Sequence, residues 1–210
     1  MKGAGWKLWL AIAMLYLLLY GVLVGDKWMT RAINTEQAQV TRFLGAPATD
    51  TAYERARRWY RHMFLDTGMV KNSFSLFIPT EAQKKASRGM ETLGEHQFRW
   101  FDGRLRVFWS MVYQALVRVS VYLLWWPIAL ILLGAAFMDG MIRRRIKMVA
   151  FGEMYPERFG VSLLVMKLGL YVMLVLTFAP FTVPVWLAPG FLALAVLATG
   201  VLVANTHKHV

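Results

Sequence analysis

Residues Val107–Val149 read VFWSMVYQALVRVSVYLLWWPIALILLGAAFMDGMIRRRIKMV. Within this stretch, the run Val119–Met138 contains no charged residue and is followed by Asp139. About twenty helical residues, at roughly 1.5 Å each, cross the hydrocarbon core of a bilayer. Four cations follow at once: Arg143, Arg144, Arg145 and Lys147. Because such a cluster holds its end of a span in the cytoplasm, the stretch predicts a transmembrane helix and its direction.

The composition of the whole chain also indicates a membrane protein. Of its 210 residues, 58% are apolar, which exceeds the roughly 45–50% of soluble domains. The net charge is +12, but Lys and Arg beside spans serve topology and bind anionic headgroups, so nucleic-acid binding does not follow. With no Cys, disulfides and Cys-based metal or thiolate chemistry are excluded.

Three further apolar runs are long enough to span. Trp6–Val24 is too long for a cleaved signal peptide and lacks a small-residue cleavage site, so it predicts an uncleaved signal anchor. The range 161–204 is divided by a segment with three prolines into spans of about 161–180 and 185–204. Lys167 is the only charge in that range. Because it lies within two turns of the basic loop, snorkelling to the interface explains it.

Between the first two spans lies a polar segment, 26–106, with helical periodicity. One stripe ends at Gly45 and Pro47 and comprises Met29, Ala32, Ile33, Val40, Phe43 and Leu44. Thr51-x-x-Glu54 then predicts a capping box that opens an amphipathic helix ended by Gly68. The apolar face of that helix comprises Ala52, Tyr53, Ala56, Trp59, Tyr60, Met63 and Phe64.

The opposite face of this helix is basic and comprises Arg55, Arg57, Arg58 and Arg61. It fits either docking on acidic headgroups or an acidic partner, or a solvated surface. Ser73–Ile78 alternates like a short strand. Another helix is expected from Pro79 and Thr80, with interruptions at three glycines: Gly89, Gly94 and Gly103.

These runs predict an all-α membrane protein with four transmembrane helices and a small, mainly helical periplasmic domain. The expected divisions are 1–25 (first span), 26–106 (periplasmic domain), 107–138 (second span), 139–160 (basic cytoplasmic loop), 161–204 (transmembrane hairpin) and 205–210 (cytoplasmic tail). The short loops decide the orientation. We therefore expect a bacterial inner-membrane protein with both termini in the cytoplasm.

The sequence contains none of the common catalytic patterns. It has no P-loop, His-Glu-x-x-His, Gly-x-Ser-x-Gly, EF-hand or dinucleotide motif. No Asp or Glu lies inside a span, as the proton relay or ion site of a transporter would require. We therefore expect no enzyme activity, cofactor or metal.

The remaining features are contact residues. Gly21 and Gly25 form a small-xxx-small pair for helix packing. Arg118 precedes the uncharged run, as an interfacial anchor or as a contact to a partner span or headgroup. Pro127 should kink the helix or leave a local gap in its backbone hydrogen bonding. The other expected partner or lipid contacts are Asp139, Gly140, Arg143, Arg144, Arg145 and Lys147.

The opening stretch also resembles a family of inner-membrane proteins of conjugative elements that carry a domain of unknown function. The matching residues are Arg118, Ser120, Val121, Leu123, Leu124, Trp125, Pro127, Asp139, Gly140, Met141, Ile142, Arg143 and Arg144. The family shape of four spans, with a large periplasmic loop after the first, is similar too. Members are encoded beside the conjugative coupling ATPase, so the resemblance implies an accessory role near that ATPase or the secretion channel.

We therefore expect a non-enzymatic inner-membrane accessory subunit of a conjugative DNA-transfer or type IV secretion system. Its partners would be lipids and membrane proteins of that apparatus, such as the coupling ATPase, without direct nucleic-acid contact. A small membrane enzyme or transporter would instead use the polar residues in or near the spans: Gln114, Arg118, Ser120 and Lys167. A third alternative is an inverted protein whose basic domain binds nucleic acid in the cytoplasm.

Overall fold

Helices dominate residues 25–77, 95–149 and 156–206, which are the parts of the chain that this computed structural model describes. Up to Tyr122, the described helices are α1 (Asp26–Leu44), α2 (Ala46–Tyr60, continued by a π-helical turn, Arg61–Leu65), α3 (Met69–Phe77) and α4 (Glu95–Tyr122). Three more follow: α5 (Trp126–Val149), α6 (Pro156–Thr177) and α7 (Leu187–Ala204). No strand occurs in these ranges, so the all-α prediction is confirmed for them.

The boundary between α1 and α2 is set by Gly45. Its φ of 82° lies in the left-handed region, and its N–H donates to the carbonyl of Thr41, which closes α1. Pro47 then occupies the first turn of α2, where its missing N–H costs little. The predicted start at Thr51 is wrong, because Thr51 lies inside α2 and its hydroxyl donates to the Pro47 carbonyl at 2.9 Å.

Gly68 turns the chain between the π-helical segment and α3. Its φ of 73° is again left-handed, and its N–H donates to the Leu65 carbonyl at 3.0 Å. The predicted stop at Gly68 is therefore confirmed. The strand predicted over 73–78 is wrong, since Met69–Phe77 is helical. Ser73 and Ser75 donate their hydroxyls to carbonyls three residues back in this helix.

The longest of the described helices, α4, runs through Gly103 without the predicted interruption. Gly89 and Gly94 lie outside the described residues. It ends at Tyr122, and a turn follows in which Leu124 and Trp125 donate their N–H groups to carbonyls three residues back. Pro127 explains the break, because it lacks an N–H and its ring crowds the carbonyl four residues earlier. The run Val119–Met138 is thus two helices, and the predicted gap at Pro127 is confirmed.

One compact unit contains the described part of Met1–Ser120 together with Thr177–Val183. Its core is formed by Met29 of α1 against Val107 and Met111 of α4, with Ile33, Phe108 and Phe178 packed around them. Aromatic rings join α2 and its π-helical turn to α4, with Tyr60 5.6 Å from Tyr113 and Phe64 5.4 Å from Trp109. Trp109 also donates its indole N–H to Ser73 of α3 at 3.0 Å.

The other unit contains the described part of Val121–Leu176 together with Pro184–Val210. Helices α5 and α7 cross at Gly140, where an added Cβ would lie 2.8 Å from Val203 Cβ and 2.9 Å from the Gly200 carbonyl. Helix α5 continues through the cationic cluster to Val149. The loop predicted from residue 139 is therefore helical as far as 149.

Three described helices are long and apolar enough to cross a bilayer: Trp126–Val149, Glu157–Thr177 and Leu187–Ala204. Most of their residues are not buried within the chain, and many large apolar side chains, such as Ile131 and Leu170, point outward. Lipid-facing spans have this character. The first predicted span, Trp6–Val24, lies outside the described residues.

Candidate functional site

A buried ion pair joins Glu36 of α1 to Arg118 of α4. Glu36 follows Met29 by seven residues and Ile33 by three, so helical spacing places it on the buried face of α1. Arg118 follows Met111 by seven residues on α4 and is placed in the same way. Both residues are almost wholly enclosed, with 3% and 4% of their surface exposed. Two helices thus each direct a charged side chain into one interior.

The pair has bidentate geometry. Arg118 donates from Nε to Glu36 Oε1 at 2.8 Å and from Nη2 to Glu36 Oε2 at 2.7 Å. Two N–H bonds to two carboxylate oxygens form the strong, planar arrangement that Arg provides and Lys does not. The two residues are 82 positions apart in the chain. The pair therefore fixes the register of α1 against α4.

The rest of the guanidinium is bound by the segment 177–183, which follows α6. Nη1 donates to the carbonyls of Thr177 and Ala179 at 3.3 and 2.7 Å, and Nη2 donates to Phe181 at 2.7 Å. These bonds and the two to Glu36 match the five N–H donors of an arginine. Glu36 Oε2 also accepts from the N–H of Val183 at 3.2 Å. We call Glu36, Arg118 and this segment the ion-pair site.

Further polar side chains are buried in the same compact unit as the pair. The hydroxyl of Tyr53, both amide atoms of Gln114 and the hydroxyl of Ser120 have no hydrogen-bond partner among the described residues. Burial raises the pKa of the Tyr53 phenol well above its ordinary value, and the negative charge of Glu36 raises it further. Tyr53 therefore stays neutral across the physiological range.

Hydrogen bonds hold the carboxylate of Glu36 on both of its oxygens. Oε1 accepts from Arg118, and Oε2 accepts from Arg118 and from the N–H of Val183. Burying two charges costs several kcal/mol per ion unless the pair and its hydrogen bonds offset that cost. The residues that offset it come from α1, α4 and the 177–183 segment. The site thus joins three chain segments that are distant in sequence.

The prediction that Arg118 lies at an interface with lipid or a partner is wrong. Its guanidinium is enclosed by the chain's own Glu36 and by three carbonyls, so it does not snorkel. Glu36 itself was missed. The available signal was an acidic residue between Ile33 and Val40, on the face that the apolar stripe assigns to the interior.

Several of the other predicted contact residues are also used within the chain. Gly140 is buried against α7, and Lys147 donates to Asn205 Oδ1 at 2.8 Å. Asp139 and Arg143 pair with each other at 2.9 Å on the exposed side of α5. Arg145 is exposed and Arg144 is partly buried. Gly140 is therefore an internal packing residue and not a contact for a partner or lipid.

The two predicted faces of α2 differ in exposure. Ala52, Tyr53 and Ala56 of the apolar face are buried, but Met63 is exposed. On the basic face, Arg57, Arg58 and Arg61 are exposed and Arg55 is partly exposed. Of the glycine pair, Gly21 lies outside the described residues. Gly25 precedes α1, and no described atom lies within 4 Å of where its Cβ would be.

The described ranges contain an apolar groove but no cluster of metal-ligating side chains. No group of three or more His, Cys, Asp or Glu that could hold a metal ion occurs there. An apolar groove of about 400 Å³ lies between α6 and α7. Its lining comprises Leu163, Val165, Met166, Lys167, Gly169, Leu170, Met173, Phe191, Leu194 and Ala195.

These observations define a helical membrane protein with a bracing ion pair in one of its two compact units. The chain belongs to the DtrJ-like family, described as IncC plasmid conjugative DNA transfer protein DtrJ-like, whose family model matches residues 8–209. The resemblance to a conjugative-element family is thereby confirmed and extends over nearly the whole chain. No curated protein and no solved structure gave a match.

Proposed function

We propose that this protein is a non-enzymatic, inner-membrane accessory subunit of the conjugative DNA-transfer apparatus, in contact with the coupling ATPase or the type IV secretion channel. The family match over residues 8–209 carries the proposal, because it connects the whole chain to conjugative DNA transfer. In this proposal four spans anchor the protein, and the segment 26–106 lies in the periplasm.

The ion-pair site supports a scaffolding role. In this site, the carboxylate of Glu36 and the N–H donors of Arg118 are bound to groups of the same chain. Arg118 is one of the residues that an enzyme or transporter would use, but its guanidinium is already bound to Glu36 and to backbone carbonyls. Gln114 and Ser120 lie on α4, whereas Lys167 lines an apolar groove in the other compact unit. Nothing in this arrangement favours an intramembrane reaction over a binding role.

Besides the exposed Arg145 of α5, two surfaces are available to partners in the proposed arrangement. One is the basic face of α2, where Arg57, Arg58 and Arg61 are exposed. The other is the lipid-facing surface of the spans. An acidic surface on a periplasmic partner would complement the first, and a partner's membrane helices would complement the second.

Deletion of the gene from its conjugative element tests the proposed role. We expect the transfer frequency to fall by orders of magnitude and to be restored by the gene in trans. The protein should also co-purify in mild detergent with the coupling ATPase or channel proteins. Undiminished transfer after deletion would contradict the proposal.

The basic face can be tested in the same assay. We expect R57Q/R58Q/R61Q to reduce co-purification, because three exposed cations of the proposed docking face are lost. The matched control is K27Q/R31Q/R42Q, which removes the same charge from exposed positions of α1. If co-purification falls equally in both variants, the effect is one of general charge, and the basic face of α2 is not the docking surface.

A further inference from the structure

The apolar parts of α5 and α7 end at the same level. Helix α7 carries no charged residue, and the first charge of α5 is the exposed Asp139. Gly140 lies against the last two turns of α7, where the Gly200 carbonyl and Val203 Cβ are 2.9 and 2.8 Å from the position of an added Cβ. Because an exposed charge is costly inside the hydrocarbon core, this level marks the end of the core and the start of the phospholipid headgroups.

Helix α5 continues past this level and carries two cations on the face that meets α7. It extends nine residues beyond Gly140, or about 13 Å. Arg144 and Lys147 follow Gly140 by four and seven residues, so both lie within about 40° of it around the helix. Arg145 is exposed and lies about 140° away. Arg144 and Lys147 therefore project beside the end of α7.

Polar groups at the end of α7 hold Lys147 in place. Its ammonium group donates to Asn205 Oδ1 at 2.8 Å, and the amide of Asn205 donates to the Val201 carbonyl at 2.8 Å. The hydroxyl of Thr206 donates to the Val203 carbonyl, also at 2.8 Å. The last carbonyls of α7 thus already accept hydrogen bonds from the residues that follow the helix.

Arg144 lacks a partner of this kind. Its Nε is buried, and among the described residues no hydrogen bond or ion pair involves Arg144. Asp139, the nearest acid in the sequence, pairs with Arg143 at 2.9 Å. A guanidinium that is removed from water needs acceptors that offset the cost of its desolvation. At the headgroup level, the anionic acceptors that surround a span are phospholipid phosphates.

We propose that Arg144 and Lys147 bind the phosphate of an anionic phospholipid beside the end of α7. Arg can donate two parallel N–H bonds to a phosphate, and Lys adds a compact positive charge. A lipid is the favoured occupant because both cations lie at the level of the headgroups. The segment 139–160 carries five cations and three acids, which favours an anionic headgroup over a zwitterionic one. The site does not depend on the proposed role in DNA transfer, since only contacts of α5 and α7 define it.

Native mass spectrometry of the full-length protein tests lipid binding. The protein is delipidated in a non-ionic detergent and offered equal amounts of phosphatidylglycerol and phosphatidylethanolamine. We expect the wild type to retain mainly phosphatidylglycerol. R144Q should retain about tenfold less of it, which is the factor that a hydrogen bond to a charged group contributes.

The matched control is R145Q, which removes the same charge one residue along, on the exposed side of α5, and should bind like the wild type. Equal retention of the two lipids by the wild type would overturn the proposal, as would equal retention of phosphatidylglycerol by R144Q and R145Q. Displacement of phosphatidylglycerol by millimolar inorganic phosphate would also overturn it, because the site would then be one for a soluble anion.

Thermal unfolding in the same detergent separates a lipid site from a structural role of Arg144. Without added lipid, R144Q should unfold at or above the temperature of the wild type, because it removes a buried donor that has no partner. Added phosphatidylglycerol should raise the unfolding temperature of the wild type and of R145Q by more than that of R144Q. If R144Q is clearly less stable than the wild type without lipid, Arg144 stabilises the fold through the chain itself and the proposal is wrong.

Discussion

Arg118 shows why a buried arginine is suited to brace separate chain segments. Its guanidinium presents N–H donors in several directions at once, and in this protein they reach a carboxylate and three backbone carbonyls. An apolar replacement of similar volume would remove the cost of burying the charge. It would also leave the carbonyls of the 177–183 segment without donors. The ion pair therefore specifies how this segment is held as well as how α1 meets α4.

A double-mutant cycle on the pair gives the first residue-scale prediction. We expect E36Q and R118M each to lower the free energy of unfolding by about 3–5 kcal/mol, because each leaves a buried charge without its counter-charge. In the double variant E36Q/R118M, the free energy of unfolding should fall by clearly less than the sum of the two single losses. Thermal unfolding of the purified protein in detergent, followed by circular dichroism, measures these changes.

The control for this cycle is D139N, which breaks the exposed pair with Arg143. Exposed pairs contribute at most about 1 kcal/mol, so D139N should unfold almost like the wild type. Additive losses in the double variant would mean that Glu36 and Arg118 are not coupled, and the bracing role would be wrong.

At the scale of elements, the crossing of α5 and α7 depends on the absence of a side chain at Gly140. A Cβ there would meet the backbone oxygen of Gly200 at 2.9 Å, which cannot move without shifting α7. We expect G140A to destabilise the protein by about 1–3 kcal/mol, as overpacking does elsewhere. Thermal unfolding in detergent measures the effect.

The same helix offers a matched control at Gly134, where nothing lies within 4 Å of an added Cβ. We expect G134A to be neutral or slightly stabilising, because alanine favours helix. If G140A and G134A unfold alike, the close approach at Gly140 does not stabilise the protein.

Local features of the elements were predictable from sequence, but their contacts were not. The buried faces of α1 and α2 follow from spacing within a few turns, and the break near Pro127 follows from proline stereochemistry. The extension of α5 past Asp139 was missed. There, Asp139 pairs with Arg143 one turn on, and Gly140 packs against a helix some 60 residues later. Glu36 was missed for the same reason, since its partner lies 82 residues away.

At the scale of the whole molecule, the ion-pair site constrains membrane topology. Glu36 and the 177–183 segment are joined directly through Val183 and indirectly through Arg118. Segments in such contact lie on the same side of a bilayer or at the same interface. The cationic cluster predicts a periplasmic 26–106 segment, and a hairpin that starts from the cytoplasmic 139–160 loop puts the uncharged turn at 181–184 on that same side. The contacts support a common side for the two regions on independent grounds.

Reporter fusions turn this constraint into a prediction. We expect a reporter active only outside the cytoplasm, such as alkaline phosphatase, to be active when inserted at Gly68 and when fused after Val183. Fusion after Val149, behind the cations of α5, should give activity only with a reporter that folds in the cytoplasm, because short cationic segments stay inside. Cytoplasmic signals at both Gly68 and Val183 would mean that the predicted membrane orientation is reversed, but they would be consistent with the contacts of the ion-pair site. Opposite signals at these two positions would contradict the contacts of Arg118 with the 177–183 segment, since a guanidinium that binds Glu36 cannot reach carbonyls across a membrane.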